Sequence, residues 1–120
     1  MSFMLLIQSE ERARPRTESE RRIAAERMER MQRYGAGLHA RGLLMASDSL
    51  KSDEEGVRIE TRGGKRTFSD GPFTESKEIV GGFFLINVST REEALAIASE
   101  CPAAEWSTVE VRQSGPCYDE

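Results

Sequence analysis

The segment Asp70-Gly71-Pro72-Phe73-Thr74-Glu75-Ser76-Lys77-Glu78 sets three carboxylates around one lysine. Carboxylates held near each other and near an ammonium group titrate apart, which can leave one as an acid and another as a base. The same residues also suit a structural part. Asp-Gly-Pro favours a tight turn, Pro72 keeps Gly71 out of helical geometry, and Phe73 supplies an apolar anchor. In that case the charges only pin a loop to a sheet. Residue types alone leave both readings open.

Other reactive side chains are few. The single His39 lies in the helix-ending stretch Leu38-His39-Ala40-Arg41-Gly42, where the helix dipole favours a solvated imidazole. Cys101 and Cys117 are the two cysteines. With one distant histidine they do not supply the four closely spaced ligands that zinc takes, so no metal or other cofactor is expected. Two thiols that look unpaired fit a reducing, cytoplasmic setting. The apolar Met1–Ile7 run is too short, and lacks the basic flank, for a signal peptide.

The elements that must position these groups follow from periodicity. Phe3-Met4-Leu5-Leu6-Ile7 is apolar on both alternations, as in an interior strand. A polar loop spans Glu10 to Arg16. Thr17-x-x-Glu20 is a capping box, and behind it Ala24, Met28, Met31, Tyr34 and Leu38 recur at steps of three and four, the stripe of an amphipathic helix. That stripe reads as core. The pairs Glu18/Arg22, Glu26/Arg30 and Glu29/Arg33 lie on its outer faces, each worth about 0.2–0.5 kcal/mol. Gly42 ends the helix. A strand begins at Leu43-Leu44-Met45, and Asp48 to Gly56 reads as a charged connection. Val57, Ile59 and Thr61 alternate with charged residues, and Gly63-Gly64 turns that strand into Lys65–Phe68 as a hairpin. Phe83-Phe84-Leu85-Ile86 is a buried strand, with Gly81-Gly82 marking a bulge or a close backbone approach. Thr90-x-x-Glu93 caps a short second helix that Pro102 ends. Val109 and Val111 alternate with Glu110 and Arg112 in a last strand.

This order predicts an α+β, ferredoxin-like antiparallel sheet with two helices on one face, a single domain over residues 1–113 and a loose tail over 114–120. The chain has 120 residues, with 38% hydrophobic and 32% charged side chains, enough to bury an ordinary core. A net charge of −4 argues against nucleic-acid binding. No apolar run approaches the roughly 18–20 residues of a membrane span. Two helices cover only one face of the sheet, yet Phe3–Ile7 and Phe83–Ile86 are apolar on both. The expected answer is a homodimer through the open sheet face.

The chain also resembles a known family over nearly its whole length. The likeness is carried by the apolar first strand, Met31-x-x-Tyr34-x-x-x-Leu38, Val57-Arg58, Asp70-Gly71-Pro72-Phe73-x-Glu75-x-Lys77-Glu78, Gly81-Gly82-Phe83, Glu92-Glu93-Ala94 and Val109-Glu110-Val111-Arg112. In these marks it resembles the YCII-related proteins of the DGPF type. The resemblance implies a ferredoxin-like fold paired into a dimeric α/β barrel, without a settled activity. It also implies an association with extracytoplasmic-function sigma factors. The broader group carries a His–Asp pair in a cleft, and His39 does not stand at the matching position.

Three functions follow as expectations. The first is a small-molecule-binding dimer or enzyme, in which Asp70 is general base or polar anchor and Glu75 the second carboxylate. There Lys77 and Arg112 hold an anionic ligand group, Tyr34 donates a hydrogen bond, and Phe73 anchors the loop. The second is a regulatory module for a partner such as a sigma factor, contacted through the outer face of the first helix between Arg21 and Arg33. The third is a structural dimer without a ligand.

Overall fold

The structure is a computed structural model describing residues 1–9 and 14–118. Residues 10–13 of the expected Glu10–Arg16 loop, and 119–120 of the tail, lie outside the described residues. Strand β1 (Ser2–Ser9) is followed by helix α1 (Glu18–Ala40), then by β2 (Leu44–Ser49) and a 3-10 turn over Asp53–Glu55. Next come β3 (Val57–Arg62), β4 (Lys65–Asp70) and β5 (Ile79–Asn87). Helix α2 (Arg91–Ser99), a 3-10 turn over Pro102–Glu105 and β6 (Thr108–Gln113) complete the chain. The main sheet has the order β2-β5-β1-β6 with antiparallel neighbours, the ferredoxin-like arrangement. Strands β3 and β4 form a separate two-stranded sheet.

Both threonine N-caps form. The Thr17 and Thr90 hydroxyls accept from the amides of Glu20 and Glu93, each at 3.1 Å. The two glutamates reach one residue further back than a capping box requires, accepting from the amides of Arg16 (3.2 Å) and Ser89 (3.3 Å). Helix α1 ends in a Schellman motif: Gly42 has φ +71°, and the amides of Gly42 and Leu43 donate to the carbonyls of His39 and Leu38. Of the expected helix pairs, Glu18–Arg22 and Glu29–Arg33 form at 3.8 and 2.8 Å, whereas Arg30 grips Glu105 on the second 3-10 turn with both terminal nitrogens.

The core lies between the sheet and the helices. Phe3, Leu5, Phe84 and Ile86 from the sheet meet Leu38 of α1 and Ala94, Ile97 and Ala98 of α2. Ladder register sends Met4, Leu6, Phe83 and Leu85 to the opposite face, away from the core residues of the two helices, where they are half-buried. Gly81 and Gly82 do both things expected of them. The β1–β5 register steps so that Gly82 faces Ile7 and Val80 faces Gln8, leaving Gly81 as the extra residue of a bulge. A Cβ on Gly82 would stand 2.8 Å from the Asp48 carbonyl oxygen. Both cysteines are free, Cys101 buried and Cys117 exposed. Among the described residues no helix is long and apolar enough to cross a membrane.

Candidate functional site

The Asp70–Glu78 segment folds into a compact knot at the base of the β3–β4 hairpin. Asp53, nearly buried at the start of its 3-10 turn, accepts the Phe73 amide on Oδ2 at 3.0 Å. The Gly71 amide donates to the Gly56 carbonyl at 2.8 Å, and the Gly71–Pro72 peptide is cis. Arg58 of β3 spans the loop, donating to Glu75 Oε1 (2.9 Å) and Ser76 Oγ (2.8 Å) while its guanidinium lies 3.9 Å from the Phe73 ring centre. Gly71 is not required for its torsions, since its φ is not positive. It is required because a Cβ there would stand 1.8 Å from the Asp53 carbonyl oxygen.

The six residues singled out from the sequence do not converge. Asp70 is exposed at the end of β4, opposite Val57. Glu75 and Phe73 are engaged with Arg58. Lys77 is exposed. Arg112 lies on the outer sheet face beside Glu110, at 3.8 Å. Tyr34 does donate a hydrogen bond, but to the Ile97 carbonyl at 2.7 Å, which ties α1 to α2. Burial pushes its phenol well above the ordinary range, aided by Cys101 and Glu100. Burial likewise raises the Cys101 thiol. Glu78 borders a polar hollow of about 360 Å³ with Glu105 and Trp106.

A larger cavity, of about 700 Å³, opens between α1 and the sheet. Ala24, Arg27, Met28, Met31, Gln32, Gly35, Ala36 and His39 form its helical wall, and Ile7, Leu44, Ser47, Ser49, Gly81, Gly82 and Phe84 its floor. Leu50 and Trp106 stand at its rim. The expected core stripe therefore divides. Leu38, Tyr34 and Met31 pack on the sheet, while Met28, 50% exposed, and Ala24 line open space. At about 24 cal/mol per Å³, 700 Å³ of sealed dry void would cost roughly 17 kcal/mol. That exceeds the 5–15 kcal/mol by which an ordinary domain is stable. The space must be open to water, as the exposure of Met28 and Leu50 (55%) shows it to be.

The polar groups of this cavity are few and spread out. Arg27 lies over the Trp106 ring at 4.9 Å, and Arg30 at 5.4 Å from the same centre. The hydrogen bond to Arg30 holds the Glu105 carboxyl below its usual range. Ladder pairing puts Ser47 and Ser49 on the helix-facing side with Phe84 and Gly82. Asp48, paired with Phe83, points to the outer face, and its Oδ1 accepts the Ser49 amide at 2.8 Å. His39 and Asp48 therefore border one cavity without their side chains sharing a face, so no His–Asp pair forms there. Among the described residues no cluster of three metal-ligating side chains occurs.

A family model of the YCII-related domain matches residues 1–114. The chain belongs to this family. No curated protein matches it, so the YCII-related domain brings a fold and no named reaction. The sequence assigned Ala24, Met28 and Met31 to a core stripe and Gly81-Gly82 to a bulge without showing a cavity, because the lining is mostly small or apolar and comes from separate segments. The local signals were Met28 and Met31 on the helix stripe, with Gly81-Gly82 later in the chain.

Proposed function

We propose that this YCII-related protein binds a small molecule in the cavity between α1 and the sheet. The ligand is a largely apolar body carrying one anionic or hydrogen-bonding end. The cavity volume carries this reading: about 700 Å³ lies within the roughly 300–1,000 Å³ usual for ligand sites, and sparse polar groups among apolar walls are the usual lining. Met28, Met31, Leu44 and Phe84 take the apolar body. Arg27, His39, Gln32 and the two serines are the groups able to fix a polar end. The Asp70–Phe73 knot supports the DGPF type within the family, and here it anchors the hairpin. A homodimer through Met4, Leu6, Phe83 and Leu85 gives the uncovered sheet face a partner and belongs to the same proposal. The regulatory alternative has less behind it, because Glu18–Arg22 and Glu29–Arg33 make the outer face of α1 one of mixed charge.

The test uses 1-anilinonaphthalene-8-sulfonate, an aromatic body with an anionic head, titrated while following the fluorescence of Trp106, the chain's one tryptophan. Saturable binding that perturbs Trp106 is expected. Ala36→Phe, which fills the cavity from the helix side and leaves Trp106 the one tryptophan, should weaken it at least tenfold without loss of helix content. Unchanged affinity in that variant would remove the cavity from consideration.

A further inference from the structure

The β3–β4 hairpin has two unlike faces. Arg58, Glu60, Arg62, Lys65, Thr67 and Ser69 alternate onto one, and the Phe73–Ser76 loop covers the base of that face through Arg58. The other face carries Val57 opposite Asp70, Ile59 opposite Phe68, and Thr61 opposite Arg66. Its three apolar side chains are 53%, 58% and 68% exposed for Val57, Ile59 and Phe68. A two-stranded hairpin is marginal alone in water, and this one shares no ladder with the main sheet. Its open face is nevertheless presented on a firm base, held by Asp53 and Gly71.

The order of residues on that face names its occupant. Along β4, Arg66, Phe68 and Asp70 lie at equal steps, with the cation and the carboxylate each about 7 Å from the central Phe68. Along β3, Val57 and Thr61 flank Ile59 in the same way. A two-fold axis through the Ile59/Phe68 pair therefore superposes each charge on its opposite. The surface is self-complementary, as an isologous contact requires, whereas an arbitrary partner would not need this symmetry.

We propose that the open hairpin face is a two-fold contact between copies of this chain. Ile59 and Phe68 of both copies form the apolar centre, and Arg66 of each copy meets the partner's Asp70. Arg66 is set for this by donating to Thr61 Oγ1 at 2.7 Å on the same face. The contact stands apart from the cavity and from pairing through the main sheet; both could fail while it holds.

The full chain is measured by sedimentation velocity and light scattering across the micromolar range. Ile59→Glu with Phe68→Glu should halve the assembled mass, or weaken self-association about a hundredfold, while far-ultraviolet circular dichroism is unchanged. Asp70→Arg and Arg66→Asp should each weaken it about tenfold by bringing like charges together, and the double reversal should restore it. Within one chain these charges are about 13 Å apart along the strand, beyond the screening length of roughly 8 Å at physiological salt, so restoration reports the contact between copies. Hydrogen exchange of the Val57–Asp70 amides, slower at higher protein concentration, gives a readout that needs no variant. A wild-type chain without self-association at high concentration, an unchanged mass in the double-glutamate variant, or reversal without restoration would overturn the proposal; the first of these would assign the face to a different protein.

Discussion

Replacing Gly71 by alanine tests why the knot has its shape. At an unobstructed site with an ordinary φ, glycine to alanine stabilises a fold by about 0.4–1 kcal/mol through the unfolded state. At Gly71 the new Cβ would meet the Asp53 carbonyl oxygen at 1.8 Å and its carbon at 2.9 Å. Both are backbone atoms, so no side chain can swing away. One route of relief displaces the 3-10 turn, at the 1–3 kcal/mol or more of an overpacked site. The other opens the loop, giving up the Gly71–Gly56 hydrogen bond, worth about 1 kcal/mol, and the Phe73–Asp53 bond, worth about 1.5–3 kcal/mol as one to a charged acceptor. The cheaper route governs, and both converge on about 3 kcal/mol. Since the hairpin is a separate sheet, the loop can open without the main core. Global denaturation would then under-report the loss, and amide exchange is the better assay. About 3 kcal/mol corresponds to roughly hundredfold faster exchange at Phe73 and residue 71. A stabilised Gly71→Ala protein, or unchanged protection at Phe73, would refute the steric account.

Other substitutions give independent checks. Gly82→Ala should destabilise by about 1–3 kcal/mol in urea unfolding, because its Cβ would lie 2.8 Å from the Asp48 carbonyl oxygen. Gly37→Ala should stabilise by up to about 1 kcal/mol, because nothing lies within 4 Å of its Cβ and the site is an exposed helix interior; the opposite signs are the point of the pair. Tyr34→Phe should cost about 1 kcal/mol for the lost bond to Ile97. Burial raises the Tyr34 phenol above its ordinary 10.0, so the unfolded chain ionises first. The stability this contributes is full below pH 10 and falls as the pH rises beyond it, a decline that unfolding at a series of alkaline pH values should find reduced in Tyr34→Phe. Leu85→Glu should dissociate a dimer formed through the outer sheet face, read as a halved mass by light scattering.

Much of the fold was legible because its signals are local. The two Thr-x-x-Glu boxes, the alternation from Val57 to Thr61 and the Gly63-Gly64 turn, both glycines at positive φ, each fix their own element. The Phe83–Ile86 run and the long amphipathic stripe then leave few topologies. The candidate site was not legible in this way. Arg58 fixes Glu75 and Ser76 across seventeen and eighteen residues, and Asp53 fixes Phe73 across twenty; no spacing rule announces such partners. The acid–base reading of Asp70 and Glu75 counted charges close in sequence, but the fold uses Glu75 to hold Arg58 and leaves Asp70 on the open hairpin face. Tyr34 was seen as a donor, yet its acceptor lies 63 positions away in α2.

The cavity follows from residue size on both of its walls. Helix α1 has 23 residues, about 35 Å at 1.5 Å per residue, whereas β2 has six, about 20 Å. A helix that outruns the edge strand beneath it needs bulk on one side to stay packed. Here the facing residues are small: Ala24, Gly35 and Ala36 above, with Ser47, Ser49, Gly81 and Gly82 below. Gly82 is also needed for the approach of β2 to β5, so the floor cannot be filled from that position without disturbing the sheet. The hollow and the sheet's edge thus share one cause. Of the stripe residues, Met28 faces this space while Met31 packs on the core and borders it, and unbranched side chains of this kind repack readily. For the proposed ligand, a pocket built this way would favour apolar bulk over exact shape, and Arg27 and His39, about 18 Å apart along α1, would mark two separate polar positions.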